Sequence, residues 1–350
     1  MISKVINDNS VSVIPEDSDD LLTLRRIIKK GDRIIGDTTR VIKQDKDFSR
    51  PDKGERVRIR ISLDVEKLSL DNVLDRLRIN GIIAESTNES VPHSSHHSFI
   101  IKINDALTIF KKNWLQIEKK LIQSKNQKFG FLLVAIDTTD CGIGRLVGTH
   151  LQIIPNIYSG SSGKRYKTNF NIEKFFDQVL SAISSSIKEN DVLIFFGPGE
   201  TKKKFVNFLQ KFPLAKNHKF ELVEGIDSGG EDGIYTFTKS PIMKNIMSES
   251  KIAIVSSIID EIMIMANKKS RKFTMGFDET KNANQFGAIE SLVFSDKIVQ
   301  TQNEEEVVEF LNDVESKGSK VFSVDSTTDL GLRVTGLGGM ISLLRFPVNS

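Results

Sequence analysis

The sequence predicts a multidomain protein of mixed α/β and α+β architecture. Three observations carry this reading. Residues 10–14 and 56–63 alternate apolar with polar side chains, the pattern of strands with one buried face. Beyond about residue 128, short continuous apolar runs alternate with amphipathic helical stretches, as in sheets covered on both sides. Finally, a chain of 350 residues suits two or three domains rather than one core.

Composition narrows the class. Hydrophobic content of 39% and charged content of 27% are those of an ordinary globular protein. No apolar run approaches the ~20 residues of a membrane span. The opening stretch MISKVINDNSV has no signal-peptide core, so a cytoplasmic protein without membrane contact is expected. Cys141 is the only cysteine, which excludes an internal disulfide and any multi-cysteine zinc site. A net charge of +3 leaves nucleic-acid contact to local basic patches.

In chain order, the strand at 10–14 ends at Pro15. Glu16, Asp17, Ser18, Asp19 and Asp20 then precede Leu21, Leu22, Leu24, Ile27 and Ile28 at helical spacing. Ser18 can cap this helix, the acids suit its dipole and Gly31 ends it. The same acids are also a candidate divalent-metal set. Residues 31–43 read as a strand pair, followed by the strand at 56–63. Between them lies a polar loop at 44–54 with Phe48 near its middle. From Arg40 to Arg60 eight Lys/Arg face four Asp/Glu, a basic ribbon with one ring for stacking on RNA. A solvated hairpin is the alternative. Residues 68–77 read as a short helix ending at Asn80-Gly81, with strands at 81–84 and 99–103. His93, His96 and His97 read as a polar loop or a metal set. Trp114, Ile117 and Leu121 mark a helix before a linker.

Residues 129–136 form an apolar strand ending at Asp137, which reads as a turn residue. Strands at 144–150 and 151–157 follow. The loop from Tyr158 to Lys167 combines Gly and Ser with Lys164, Arg165, Lys167 and two tyrosines, a second candidate nucleic-acid contact. A helix at 172–187 leads to the central signal, DVLIFFGPGETKKKF from Asp191 to Phe205. Its apolar run is a strand buried on both faces, stopped by Gly197-Pro198-Gly199. Thr201 can cap the next helix. Lys202, Lys203 and Lys204 in its first turn oppose the dipole and point to an anionic partner. No Gly-Lys-Ser/Thr follows, so this is not a Walker loop. In the last third, residues 252–265 read as a helix, 279–286 as a helix and 289–294 as a strand. Residues 304–314 are a helix, 320–324 a strand, 331–339 a Gly-rich turn and 340–346 a final strand, together an α/β sandwich.

Taken in order, the motifs resemble the Pelota family across nearly the whole chain. They are Pro15-Glu16-Asp17-Ser18-Asp19-Asp20-Leu21 with Gly31-Asp32, then Gly197-Pro198-Gly199, then Phe286-Gly287-Ala288-Ile289-Glu290-Ser291-Leu292, and Gly338-Gly339-Met340 to Arg345-Phe346-Pro347. The resemblance implies three domains: 1–127 an Sm-like β-rich N-terminal domain, 128–247 a ribonuclease H-like central α/β domain, and 248–350 a small ribosomal-protein-like αβα C-terminal domain. It implies a monomeric paralogue of the class-one release factors. Such a protein enters the A site of a stalled ribosome, against rRNA and mRNA, with an elongation-factor-type translational GTPase. It then promotes subunit dissociation with a recycling ATPase and serves mRNA surveillance by no-go decay. The release-factor Gly-Gly-Gln is missing: Gly229-Gly230 is followed by Glu231 and Gly338-Gly339 by Met340, so peptidyl-tRNA hydrolysis is not expected.

By the same resemblance, Lys43, Lys46, Phe48, Arg50, Lys53, Arg56 and Arg58 approach the decoding centre. Lys164, Arg165 and Lys167 lie where a tRNA acceptor stem would sit, and Gly197, Pro198 and Gly199 meet the GTPase. Many relatives carry Phe after Gly-Pro-Gly where this chain has Glu200, a departure that bears on the GTPase contact. The family is also credited with a divalent-metal-dependent endoribonuclease activity in its first domain. Glu16, Asp17, Asp19 and Asp20 are the carboxylates that such hydrolysis would use, with the metal's identity open. A plain RNA-binding module is a further alternative.

Overall fold

A computed structural model describes residues 1–42, 55–71, 76–88, 91, 94–123, 130–160, 171–268 and 270–348. These residues form three sheets, each with its own helices.

The N-terminal unit contains β1 (Ile2–Asn7), β2 (Ser10–Ile14), α1 (Ser18–Ile27), β3 (Arg33–Ile42), β4 (Glu55–Asp71), β5 (Arg76–Ser86), β6 (His96–Ile101), β7 (Leu107–Phe110) and α2 (Gln116–Gln123). The strands make one antiparallel sheet in the order β1-β2-β7-β3-β4-β5-β6. The strand pair expected at 31–43 is the single strand β3. The helix expected at 68–77 is the end of β4 and the start of β5. Leu68 pairs with Ile79 and Leu70 with Leu77, and all four are buried on one face. Period-two burial overrides the helical propensity of that leucine-rich stretch. Gly81 does not end a helix. It sits in β5, where a Cβ would stand 2.0 Å from the Asp64 carbonyl oxygen, beside a bulge in β4.

The central unit follows with β8 (Phe131–Ile136), β9 (Asp140–Val147), β10 (His150–Tyr158), α3 (Ile172–Ser186), β11 (Val192–Phe196), α4 (Thr201–Leu209), α5 (Leu214–Asn217), β12 (Phe220–Leu222), α6 (Gly230–Lys239) and α7 (Pro241–Ile246). The sheet order is β10-β9-β8-β11-β12, with β8, β11 and β12 parallel and β9 and β10 antiparallel. The apolar runs are continuous because both faces are covered. Leu132, Val134, Leu193 and Phe195 pack with Phe175, Phe176 and Phe205 of α3 and α4. Leu133, Ala135, Ile194 and Phe196 pack with Ile234 and Phe237 of α6. Phe196 and Phe237 stack with ring centroids 4.5 Å apart.

The C-terminal unit holds α8 (Lys251–Asn267), β13 (Phe273–Met275), α9 (Phe277–Gln285), β14 (Ile289–Ser295), α10 (Lys297–Thr301), α11 (Glu304–Ser316), β15 (Lys320–Val324), α12 (Asp329–Gly336) and β16 (Met340–Leu344). Its sheet, β13-β16-β14-β15, is sandwiched between α8 with α12 on one face and α9 with α11 on the other. Most of the Gly-rich stretch at 331–339 is therefore helix rather than turn. Thr328 caps α12, and Gly331 is small because a Cβ there would lie 1.9 Å from the Asp325 carbonyl oxygen. Only the exit, where Gly338 and Gly339 take positive φ, is a turn.

Two of the junctions between the units are built on charged side chains. At the first, α1 lies on α11. Arg25 and Arg26 are 3% and 7% exposed, and such burial requires charge partners. Arg25 pairs with Glu304 and, at 2.6 Å, with Glu305. Arg26 pairs with Glu315 and donates to Asn312 Oδ1 at 2.9 Å, while Asn312 Nδ2 donates back to the Arg26 carbonyl. At the second, the β9–β10 turn meets the C-terminal unit. His150 Nδ1 lies 2.7 Å from Asp325 Oδ2. The hydrogen bond to Asp325 raises the imidazole's pKa against its burial, and the same bond holds the Asp325 carboxyl down at about 2.

Replacing Arg26 by Met is expected to lower the unfolding free energy by about 2–3 kcal/mol, because Glu315 and Asn312 lose their partner. Chemical unfolding measures this, and parent-like stability would show that apolar packing alone holds α1 on α11. The His150 pair has a defined pH window. A raised histidine pKa stabilises below the ordinary 6.5 and the gain is lost as pH rises through the folded value. A depressed aspartate stabilises above 3.8 and the gain is lost as pH falls towards about 2. The melting-temperature difference between the parent and His150→Ala should therefore peak between about pH 4 and 6 and shrink above it. A difference flat in pH would break the assignment.

Candidate functional site

The central strand–turn–helix junction is built from β11 outward. Phe196 ends the strand fully buried, and Gly197 turns the chain at φ +134°. A Cβ on Gly197 would lie 2.3 Å from the Ile136 carbonyl oxygen at the end of β8, so the turn passes too close to the parallel neighbour for any side chain. Pro198 is half-buried, and Gly199, at φ +64°, faces open space. Glu200 occupies the N-cap of α4 without a side-chain capping bond, and Thr201, expected to cap, is the first helical residue and buried.

The three lysines do not present a common cationic face. Lys202 is 3% exposed. Its Nζ donates to the Gly197 carbonyl at 2.7 Å and the Gly199 carbonyl at 3.1 Å, and pairs with Glu224 at 2.9 Å. Lys203 pairs with Glu200 at 2.9 Å and with Glu224 at 3.4 Å. At Lys202 and Lys203 the charges are answered within the chain, so only the exposed Lys204 keeps the dipole argument for an anionic partner.

The basic ribbon survives in part. Arg56, Arg58 and Arg60 of β4 are exposed on one face, while Ile59 and Ile61 are buried on the other. Asp37 of β3 lies opposite Arg60, and its carboxylate is 3.2 Å from Arg58 Nη2. Lys43, Lys46, Phe48, Arg50 and Lys53 lie outside the described residues, as do Lys164, Arg165 and Lys167. β3 and β4 lead into and out of residues 43–54, so the exposed arginines border that segment.

The acids at the start of α1 are engaged elsewhere. Asp17, not Ser18, is the N-cap, with Oδ1 accepting from the Asp20 amide at 3.0 Å. Asp20 is buried, accepts from the Glu16 amide at 2.8 Å and lies 2.6 Å from the Met1 amino group, which also meets Glu16 at 2.9 Å. Asp19 points to the C-terminal unit, where Lys251 Nζ reaches it at 2.6 Å and Ser323 donates to it. Among the described residues no group of three or more His, Cys, Asp or Glu is arranged to hold a metal ion. His96 and His97 also diverge along β6. His96 meets Glu66 at 3.3 Å, and His97 lies 3.1 Å from Thr38 Oγ1, its pKa lowered by burial and by Arg40. His93 lies outside the described residues. Asp137 is a turn residue, its Oδ1 accepting from the amides of Thr139 and Asp140. The carboxyl of Asp140 beside it has its pKa raised by burial and by the Asp137 charge.

The described residues thus form a multidomain α/β protein, with a β-rich unit, a five-stranded α/β unit and an αβα sandwich in this order. Comparison with known proteins identifies its family. Residues 1–126 match the Pelota N-terminal domain and residues 252–348 match eRF1 domain 3. The chain is 69% identical over 350 residues to the protein pelota homolog of Nitrosopumilus maritimus, covering 100% of both chains. It is 51% identical over 346 residues to that of Cenarchaeum symbiosum, covering 99% of each. Its fold resembles the crystal structure of the Thermoplasma acidophilum Pelota protein, with a TM-score of 0.64, 21% identity, and 99% of this chain and 100% of that one covered. The chain belongs to the Pelota family.

Gly197→Ala and Gly199→Ala separate close approach from backbone freedom. The first is expected to cost about 3 kcal/mol or more, since both φ and the Ile136 carbonyl oppose a Cβ. The second should cost about 1 kcal/mol, from φ alone. Equal losses on chemical unfolding would mean that the turn does not press on β8.

Proposed function

We propose that this protein recognises stalled ribosomes, occupies the A site together with an elongation-factor-type translational GTPase, and promotes rescue by subunit dissociation with a recycling ATPase. The observation that carries the reading is full-length membership of the Pelota family, at 69% identity over 350 residues. Two features of the chain support it. Gly-Gly-Gln is missing, so the central unit lacks the motif with which release factors hydrolyse peptidyl-tRNA. The exposed Arg56, Arg58 and Arg60 border the segment that carries Lys46, Phe48 and Arg50, a combination suited to phosphates and an unstacked base. Among the described residues no helix is long and apolar enough to cross a membrane. Triggering no-go decay of the mRNA belongs to the same proposal. No observation favours metal-assisted RNA cleavage by the α1 acids, whose oxygens are held by backbone amides, Lys251 and Ser323.

The experiment is splitting of purified stalled ribosomes into subunits, with and without the GTPase and the ATPase. Splitting that requires this protein is the expected outcome, and none with all three factors present would refute the proposal. Lys164→Ala with Arg165→Ala should weaken ribosome binding and reduce the slope of log affinity against log salt by about 1–2. An unchanged slope would remove that loop from the interface.

A further inference from the structure

The outward face of β3 and β4 sets a row of donors beside a row of acceptors. Arg56, Arg58 and Arg60 alternate along β4 and are exposed. A strand rises about 3.4 Å per residue, so these side chains stand about 6.8 Å apart, a repeat that successive nucleotides of an extended single strand can follow. A guanidinium has five donors and no acceptor, so the row by itself binds phosphate oxygens. Phosphates are common to RNA and DNA, and the 2′-hydroxyl is what separates the two. The neighbouring strand supplies the acceptors that the arginines lack. Asp37 stands opposite Arg60 and Thr39 opposite Arg58 in the β3–β4 register, and both are exposed. Thr38 between them turns to the other face, where its hydroxyl lies 3.1 Å from His97 Nε2. The Asp37 carboxylate lies 3.2 Å from Arg58 Nη2 and 4.0 Å from Arg60 Nε, between two of the three guanidiniums. Its side chain is 46% exposed, and with about four lone-pair sites it keeps acceptor capacity facing outward. Exposed ion pairs contribute little to stability, and an acid within a basic row weakens its pull on phosphate. The placement is accounted for when the ligand itself donates to the carboxylate.

We propose that Asp37 is a specificity-determining residue of this face: it accepts a hydrogen bond from a ribose 2′-hydroxyl while Arg58 and Arg60 hold the phosphates on either side. This rests on the reading above that the arginine face meets RNA, and it names the sugar as the group that is read. Every ribonucleotide carries the hydroxyl, so the recognition is independent of base sequence. A deoxy strand brings the same phosphates and no donor. The carboxylate then loses its bond and faces the phosphates with its repulsion unanswered.

The test uses the full chain and fluorescence anisotropy at one fixed salt concentration. The probes are a labelled oligouridylate of about 12 nucleotides and its 2′-deoxy counterpart. The parent should bind the RNA about tenfold more tightly than the deoxy strand. Asp37→Ala should bring the two affinities within about twofold of each other, chiefly by tightening the deoxy strand. Both Asp37 and Arg58 are exposed, so their substitution leaves the core untouched. Equal affinities in the parent would overturn the proposal. So would Asp37→Ala tightening both strands by the same factor, since the acid would then act as a repelling charge alone. Arg58→Ala separates this proposal from the reading beneath it. It should weaken both strands by similar factors. If it does so while Asp37→Ala preserves the RNA preference, the role of Asp37 falls and the RNA face stands. If Arg58→Ala leaves RNA affinity unchanged, the face and the proposal fall together.

Discussion

The packing of α1 against α11 through Arg25 and Arg26 is the constraint that the N- and C-terminal units share. A guanidinium removed from water is tolerated only when its charge and donors are met. Here they are met from across the molecule, by Glu304, Glu305, Glu315 and Asn312. Glu304 and Glu305 sit in the first turn of α11, where its dipole already favours them. Around these pairs Leu24 and Ile27 join Val307, Leu311 and Val314 in one apolar cluster, so two sheets that never pair share a core. The same docking turns Asp19 towards Lys251 and Ser323. An acidic stretch that resembles a metal set in one dimension becomes, in three, a helix cap and an inter-unit contact.

The central unit solves a different problem. Its inner parallel strands β8 and β11 are buried on both faces, so little on them is free to meet a partner, whereas the edge strand β12 is largely exposed. Contact surfaces must form where the strands end, as is general for open α/β sheets. At the end of β11 the chain has to clear the carbonyl of Ile136 and then enter α4, and only glycine permits the first step. The carbonyls left facing inward are bonded by Lys202 rather than by water or a ligand. What remains outward is mixed in charge: Glu200 and Glu224 meet Lys203, with the exposed Lys204 beside them.

Legibility in the sequence followed the physics of each element. The run at 192–196 and the strand at 320–324 were readable because β-branched and aromatic residues in short apolar stretches have few alternatives. The alternation of Arg56, Arg58 and Arg60 with Val57, Ile59 and Ile61 announced one exposed and one buried face, and the sheet has both. Residues 68–77 misled because Leu70, Val73, Leu74 and Leu77 follow helical spacing in the sequence, whereas the pairing of Leu68 with Ile79 and of Leu70 with Leu77 across β4 and β5 imposes period two. Residues 331–339 misled because glycine there serves a close helix approach, at Gly331, as well as a turn, at Gly338 and Gly339. Lys202 carried no local signal. Whether a lysine beside two others faces solvent depends on a carbonyl five residues back and a glutamate twenty-two residues ahead.

By itself the sequence determined the class of fold, the central junction, the loss of the peptide-release motif and the family, because these depend on local periodicity and on short ordered motifs. Tertiary structure alone decided which charges are partners. Glu16, Asp17, Asp19 and Asp20 found partners within the chain, Lys202 turned inward, and Arg25, Arg26 and His150 became junctions between units. The physical reason is range. Apolar burial is non-directional and leaves its imprint on neighbouring positions, whereas a charge is assigned its role by whatever lies within about 3–4 Å, and that neighbour comes from anywhere in the chain.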